Sequence, residues 1–195
     1  TCSTHYDEYD TGSPLTPIDM HVWICAAEKD NVLNTGFSKP AEFMVDKEAP
    51  TTVSVTGAPA NWQSSNAPAG VDCTDTGDSG CDPSAYRVKI SPSNPGVCDP
   101  VYGNYPSPAG TSVTSHSWVC AAAADVAGNT KITADAPVEF LVDQNAPTVG
   151  VTGAPAGWLN TDAVITVSCS DTGGSGCVPS TYRVKEYPTN PGACS

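Results

Sequence analysis

The sequence predicts an all-β chain of small antiparallel β-sandwich domains repeated in tandem. Three observations predict it. The first is a long internal repeat. Cys73-Thr-Asp-Thr-Gly-Asp-Ser-Gly-Cys81 returns 96 residues later as Cys169-Ser-Asp-Thr-Gly-Gly-Ser-Gly-Cys177, and Val55–Ala60, Trp62 and Tyr86–Lys89 return at the same step as Val151–Ala156, Trp158 and Tyr182–Lys185. A period that long, with one cysteine-bracketed loop per period, marks copies of a small domain and not one large fold. The second is composition. With 18 Pro and 17 Gly among 195 residues, long helices are excluded and short strands between turns are favoured. The third is the spacing of the strand signals, about seven short apolar or alternating runs per period with turn residues between them, which is the sandwich pattern.

The repeat sets the boundaries. Residues 1–46 read as the second half of one unit, because His21-Val-Trp23-Ile-Cys25-Ala-Ala matches His116-Ser-Trp118-Val-Cys120-Ala-Ala and Ala41–Asp46 matches Val138–Asp143. Residues 47–143 hold a complete unit, and residues 144–195 hold the first half of a third. Cut in this phase and opening without a signal-peptide pattern, the chain reads as an excerpt from a longer array. The competing reading is a protomer whose two halves complete a neighbouring copy head to tail. Both boundaries, Val45–Pro50 and Val142–Pro147, are short, lack glycine and end in a proline that fixes φ, so little hinge motion is expected there.

Within the complete unit the expected strands run in order. Thr51–Thr56 alternates polar and apolar residues before the Gly57-Ala-Pro-Ala turn. The strand before the cysteine loop is clearest in the later copy, where Ala163, Ile165, Val167 and Cys169 fall on one face with a period of two. Ala85–Ile90 follows the loop, and Pro95-Gly96 turns the chain. Ser117–Ala124 is the most apolar run, and Asp125-Val-Ala-Gly128-Asn129 is a tight turn into Val138–Val142.

A formal charge of −13 argues against nucleic-acid binding and against docking on anionic membranes, and no apolar run reaches the ~20 residues of a membrane helix. Nine cysteines at repeating positions point to disulfides in an oxidising compartment, since zinc sites want shorter spacings and more histidines. No Asn-x-Ser/Thr sequon is present. Four cysteines per unit allow three pairings: Cys73–Cys81 with Cys98–Cys120, Cys73–Cys120 with Cys81–Cys98, and Cys73–Cys98 with Cys81–Cys120. The inward parity of Cys169 favours the second. The parity of Val119, Ala121 and Ala123 before Asp125 opposes it by placing Cys120 on the other face, beside Trp118.

The combination of Ala-Pro-Thr148, Gly-Trp158-Leu-Asn-Thr-Asp162, the Cys169–Cys177 loop, Tyr182-Arg-Val and Asp125-Val-Ala-Gly-Asn129 resembles the tandem immunoglobulin-like (fibronectin-III-like) repeats of bacterial and archaeal cell-surface proteins. The extra pair Cys98 and Cys120 departs from that pattern, as does Glu28-Lys29 before the first last-turn Asp. The resemblance covers essentially the whole chain and implies immunoglobulin-like sandwiches at the cell surface, serving as stalks, adhesin arms or spacers. Such repeats often carry only the two loop cysteines, which implies Cys73–Cys81 and Cys169–Cys177. Cys98–Cys120 and Cys2–Cys25 then follow, and Cys194 is left without a partner in this chain.

No nucleophile constellation, phosphate loop or His-Glu-x-x-His motif appears, so no enzymatic activity is expected. Calcium is the one ligand the sequence suggests. Asp46 and Asp143 lie at the boundaries, Asp125 opens the last turn (as Asp30 does in the first copy), and Asp75 and Asp171 lie in the cysteine loops. The plainer reading is that these residues cap turns and solubilise the surface. Trp62, Tyr102 and Tyr105 are candidates for contact with a glycan or receptor. The expected function is structural, as a segment of a surface fibre or stalk whose partners are the next repeat or other copies, with adhesion to a surface glycan or receptor as the alternative.

Overall fold

Short alternating runs bounded by glycine and proline become short antiparallel strands. The computed structural model describes residues 1–10, 17–133 and 136–194, and among them the helical turns are 3₁₀ turns of three residues each. Among the described residues no helix is long and apolar enough to cross a membrane. In residues 1–46 the strands are β1 (Val22–Ile24), β2 (Ala27–Lys29), β3 (Thr35–Phe37) and β4 (Ala41–Phe43), with β1 paired to β4 and β2 to β3. In residues 47–143 they are β5 (Thr52–Thr56), β6 (Ala67–Thr74), β7 (Arg87–Ser91), β8 (Ser107–Pro108), β9 (Thr111–Val113), β10 (Ser117–Ala124), β11 (Thr130–Ile132) and β12 (Val138–Phe140). Residues 144–194 contribute β13 (Thr148–Thr152) and β14 (Thr166–Ser170), paired with each other.

The central unit has two sheets, a three-stranded one in the order β5-β6-β9 and a five-stranded one in the order β11-β10-β7-β8 with β12 also on β10. Its core draws side chains from both. Ala67 and Ala69 of β6 and Val113 of β9 meet Val88, Val119 and Phe140 from the other sheet, together with Val142. All the buried apolar side chains among the described residues lie between Pro50 and Val142. Val149 and Val151, at the positions of Val53 and Val55, are 61% and 66% exposed, because residues 144–194 contain no strand equivalent to β10 to cover them.

Strand register repeats where the sequence does. Thr52↔Thr74 in β5–β6 is matched by Thr148↔Ser170 in β13–β14, and Trp118↔Glu139 in β10–β12 is matched by Trp23↔Glu42 in β1–β4. The expected strand Ser117–Ala124 coincides with β10. The strand expected from Ala85 starts at Arg87, because Asp82 caps a 3₁₀ turn over Pro83–Ala85 through the Ser84 amide. The strand expected from Ala163 starts only at Thr166, after which Val167 and Cys169 are half-buried while Thr166, Ser168 and Ser170 are exposed.

The disulfides are Cys2–Cys25, Cys73–Cys81, Cys98–Cys120 and Cys169–Cys177, the first of the three pairings, and Cys194 is a free, exposed thiol. Four such bridges belong to a protein that matures in an oxidising environment.

The turn over Asp125–Asn129 and its counterpart Asp30–Asn34 share one design, in which the Asn amide and side chain both donate to the Asp carboxylate. Gly128 supplies the left-handed residue of the later turn at φ 94°, whereas Leu33 is forced there at φ 71° in the earlier one. That conformation costs a side-chain-bearing residue roughly 1–2 kcal/mol. Leu33→Gly is therefore expected to stabilise residues 1–46 by about 1 kcal/mol, read as slower hydrogen exchange across β2–β3.

Candidate functional site

The side chains with the most unusual surroundings gather where residues 1–46 meet the central unit. Asp46 leaves its own strand pair and inserts its carboxylate into the following cysteine loop, where Oδ2 accepts from the Ser79 amide at 2.9 Å and Oδ1 from the Glu48 amide at 2.9 Å. Gly77 makes the seat, since a Cβ there would lie 2.5 Å from Asp46 Oδ2. From the other side the Asn129 side chain donates to the Asp46 carbonyl at 3.1 Å, tying the last turn of the unit to the entering chain. The cysteine loop is held to that same turn by the Val126 amide on the Gly80 carbonyl at 2.9 Å and the Asp82 amide on the Ala124 carbonyl at 3.0 Å.

Three carboxylates converge in this frame. Asp46, Asp75 and Asp125 each place an oxygen within 4.8 Å of the others, and Asp125 is 2% exposed. Both Asp125 oxygens accept from Asn129, through the amide and the side chain, each at 2.8 Å. Asp75 Oδ1 accepts from the Gly77 amide at 3.1 Å, while its Oδ2 is shut off from solvent and accepts no hydrogen bond.

The next boundary is built in the same way. Asp143 Oδ2 accepts from the amide and hydroxyl of Ser175 and its Oδ1 from the Asn145 amide, and Gly173 supplies the seat. The Ser175 hydroxyl, followed by the Asn145 and Ser175 amides, holds the Asp143 carboxyl below the usual carboxylate range. Asp171 differs from Asp75 in that its Oδ2 accepts from the Gly176 amide at 2.7 Å and from the Ser175 hydroxyl at 3.4 Å. Of the five aspartates singled out in the sequence, three therefore form one cluster and two form a pair at the second boundary.

The two repeated histidines also face these boundaries. His21 Nε2 lies 2.9 Å from Glu42, and its Nδ1 lies 3.7 Å from Asp78 of the next cysteine loop. His116 Nε2 lies 2.7 Å from Glu139, and its ring meets Trp62 edge-on at 4.9 Å and Trp118 at 4.5 Å. Trp62 also comes against Gly174, the residue that replaces Asp78 in the later loop. Trp62 is thus half-buried packing at the end of the unit, whereas its counterpart Trp158 has no such neighbours and is fully exposed.

Of the two tyrosines that the sequence offers for contact, Tyr102 is half-buried and Tyr105 is buried. Tyr105 is 3% exposed and packs on Cys120 and Ala122, and its hydroxyl donates to the Asp99 carbonyl at 2.8 Å. The Tyr102 hydroxyl donates to the Ala85 carbonyl. The segment Cys98–Tyr105 covers the outer face of β10, so both faces of that strand are buried. The first copy repeats this: Tyr6–Glu8 forms the same 3₁₀ turn as Tyr102–Asn104, and the Tyr9 hydroxyl donates to the Ser3 carbonyl at 2.8 Å. The shared Tyr-x-x-Tyr spacing was the signal for packing.

Asp99 anchors that cover. Lys89, the Val101 amide and the Asn104 side chain hold its pKa at about 2, against 3.8 ordinarily. A depressed carboxyl stabilises the fold above its unfolded pKa, and the effect is lost as pH falls through the folded value. Loosening of the cover, followed by Tyr105 amide exchange, is expected between about pH 3.8 and 2, and Asp99→Asn is expected to flatten that acid limb.

Comparison with protein-family models, with curated proteins and with solved structures finds no match.

Proposed function

We propose that this chain is a section of an extracellular structural rod, a fibre or stalk at a cell surface built from tandem immunoglobulin-like β-sandwich domains. One observation carries the reading: successive boundaries use the same clamp. Asp46 sits on the Gly77–Ser79 loop and Asp143 on the Gly173–Ser175 loop, each immediately before a proline-ended linker. A boundary residue hydrogen-bonded into the next unit fixes the angle between units, which a spacer needs and a flexible tether does not.

The chemistry of such a part is mechanical. The loop bridges and the Cys98–Cys120 bridge confine any stretching to chain outside the closed loops, and a net charge of −13 keeps neighbouring rods apart. The partner of the exposed β13–β14 face is then the second half of a following unit, whose equivalent of β10 would cover Val149 and Val151. The burial of Tyr105 removes one support for adhesion through that loop.

Immunogold labelling of intact source cells with antibody to this chain tests the proposal. Gold along extracellular fibres or stalks is the expected result, and label confined to the cell interior would overturn it. The reduced, denatured mass of the native polypeptide then separates a longer array from 20.0 kDa subunits that complete one another.

A further inference from the structure

We propose that Asp46, Asp75 and Asp125 bind a calcium ion that locks residues 1–46 onto the central unit. This inference stands on the geometry of the cluster and is independent of the rod reading. Three carboxylates lie with oxygens within 4.8 Å of one another, and among the described residues no Lys or Arg ion-pairs with any of them. Asp125 is 2% exposed, so water does little to screen the repulsion. The Asn129 and Gly77 amides, the Asn129 side chain and the Ser79 and Glu48 amides orient the carboxylates and carry no formal charge.

The second observation is the orphaned oxygen. A buried carboxylate oxygen with no donor is costly, and native proteins rarely leave one so. Asp75 Oδ2 is in that state, as is the Ser79 hydroxyl of the same loop, and Asp75 shares its cluster with two other carboxylates, which can only accept. A cation held by the three carboxylates would supply that partner and offset their mutual repulsion.

The chain contains its own comparison. In the loop at the second boundary Asp143 and Asp171 repeat Asp46 and Asp75, but these residues include no counterpart of Asp125, which would lie in a following unit. There the second oxygen of Asp171 turns to the Gly176 amide and the Ser175 hydroxyl. The same loop thus satisfies both oxygens of its aspartate internally where two carboxylates meet, and leaves one of them, with the Ser79 hydroxyl that matches Ser175, unpaired where three meet.

The ligand class follows from the donors. All are hard oxygens on irregular loops, without His or Cys, which excludes a preference for zinc or copper. The oxygens lie within 4.8 Å of one another, inside the span of about 5 Å across a Ca²⁺ coordination sphere, and irregular loops suit its flexible geometry better than the near-ideal octahedron that Mg²⁺ demands. Because Asp46 arrives with the preceding segment while Asp75 and Asp125 belong to the central unit, the ion bridges the two.

The test is calorimetric titration of the chelator-treated chain with CaCl₂, with MgCl₂ in a parallel arm. One saturable Ca²⁺ site is expected, with a Kd of roughly 0.1–1 mM as in other extracellular modules. Asp75→Asn keeps the Oδ1 acceptor and turns an amide donor toward Asp46 and Asp125. It is expected to weaken Ca²⁺ binding at least tenfold while melting in chelator no lower than the unsubstituted chain. Asp171→Asn is expected to leave the titration unchanged. Absence of saturable binding, binding unaffected by Asp75→Asn, or loss on Asp171→Asn alone would each overturn the proposal. Equal affinity for Mg²⁺ would overturn the assignment to calcium.

Discussion

Phe140→Ala is expected to cost the central unit about 3–5 kcal/mol of unfolding free energy, toward the upper end of that range. Phe140 is completely buried on β12, and its neighbours are Ala67, Ala69, Val88, Val113, Val119 and Val142. These side chains are short, and valine is stiff at χ1, so they cannot move inward to fill the space. A core built of alanine and valine concentrates its large apolar surface in one ring, and removing that ring leaves a cavity between the two sheets. The sequence repeat supplies a control. Phe43 occupies the same position in the first copy, paired with Val22 as Phe140 is with Ser117, but it is 41% exposed. Phe43→Ala is expected to cost less than about 1 kcal/mol. Urea unfolding followed by tryptophan fluorescence checks both, and equal losses would mean that residues 1–46 possess a packed core of their own.

The contrast between those two phenylalanines also shows what was legible in the sequence. The 96-residue repeat located the strands, and alternation assigned their faces, because both depend on near neighbours in the chain. Ser117–Ala124 was legible to the residue, since a continuous apolar run before an Asp-Val-Ala-Gly-Asn turn has few alternatives. Burial was not legible, because it depends on which strands share a unit: Val53 is 6% exposed while Val149, at the equivalent position of the repeat, is 61% exposed. The aspartates were nominated by position, but the convergence of Asp46, Asp75 and Asp125 required the fold, as did the seat at Gly77. Ser79 and Ser175 went unnoticed as clamp residues, although the repeat preserves both. The packing of the tyrosines was likewise not legible. Their common 3₁₀ turn, and the hydroxyl bond six residues back along the chain, appear only in three dimensions.

Removing the Cys98–Cys120 bridge is the second large effect. As the Cys98→Ala/Cys120→Ala pair it is expected to cost about 3.4 kcal/mol through the restored entropy of the open chain, against about 2.5 kcal/mol for the Cys73–Cys81 pair with its shorter loop. The longer bridge does more than close a loop. It pins Cys98–Tyr105 over the outer face of β10, burying Cys120, Ala122 and Tyr105 together. Without it the cover is held by the Asp99 contacts to Lys89 and Asn104 and by two tyrosine hydroxyl bonds. Those are polar contacts at a wet edge, so the cover is expected to open locally before the sheets part. Hydrogen exchange separates the two effects. In the double variant the Val101–Tyr105 amides are expected to lose protection ahead of β10, whereas the Cys73→Ala/Cys81→Ala pair should leave their order unchanged. Uniform loss across β10 and the cover would mean that the outer layer and the core unfold as one unit, and that the Cys98–Cys120 pair stabilises the whole domain and not its surface.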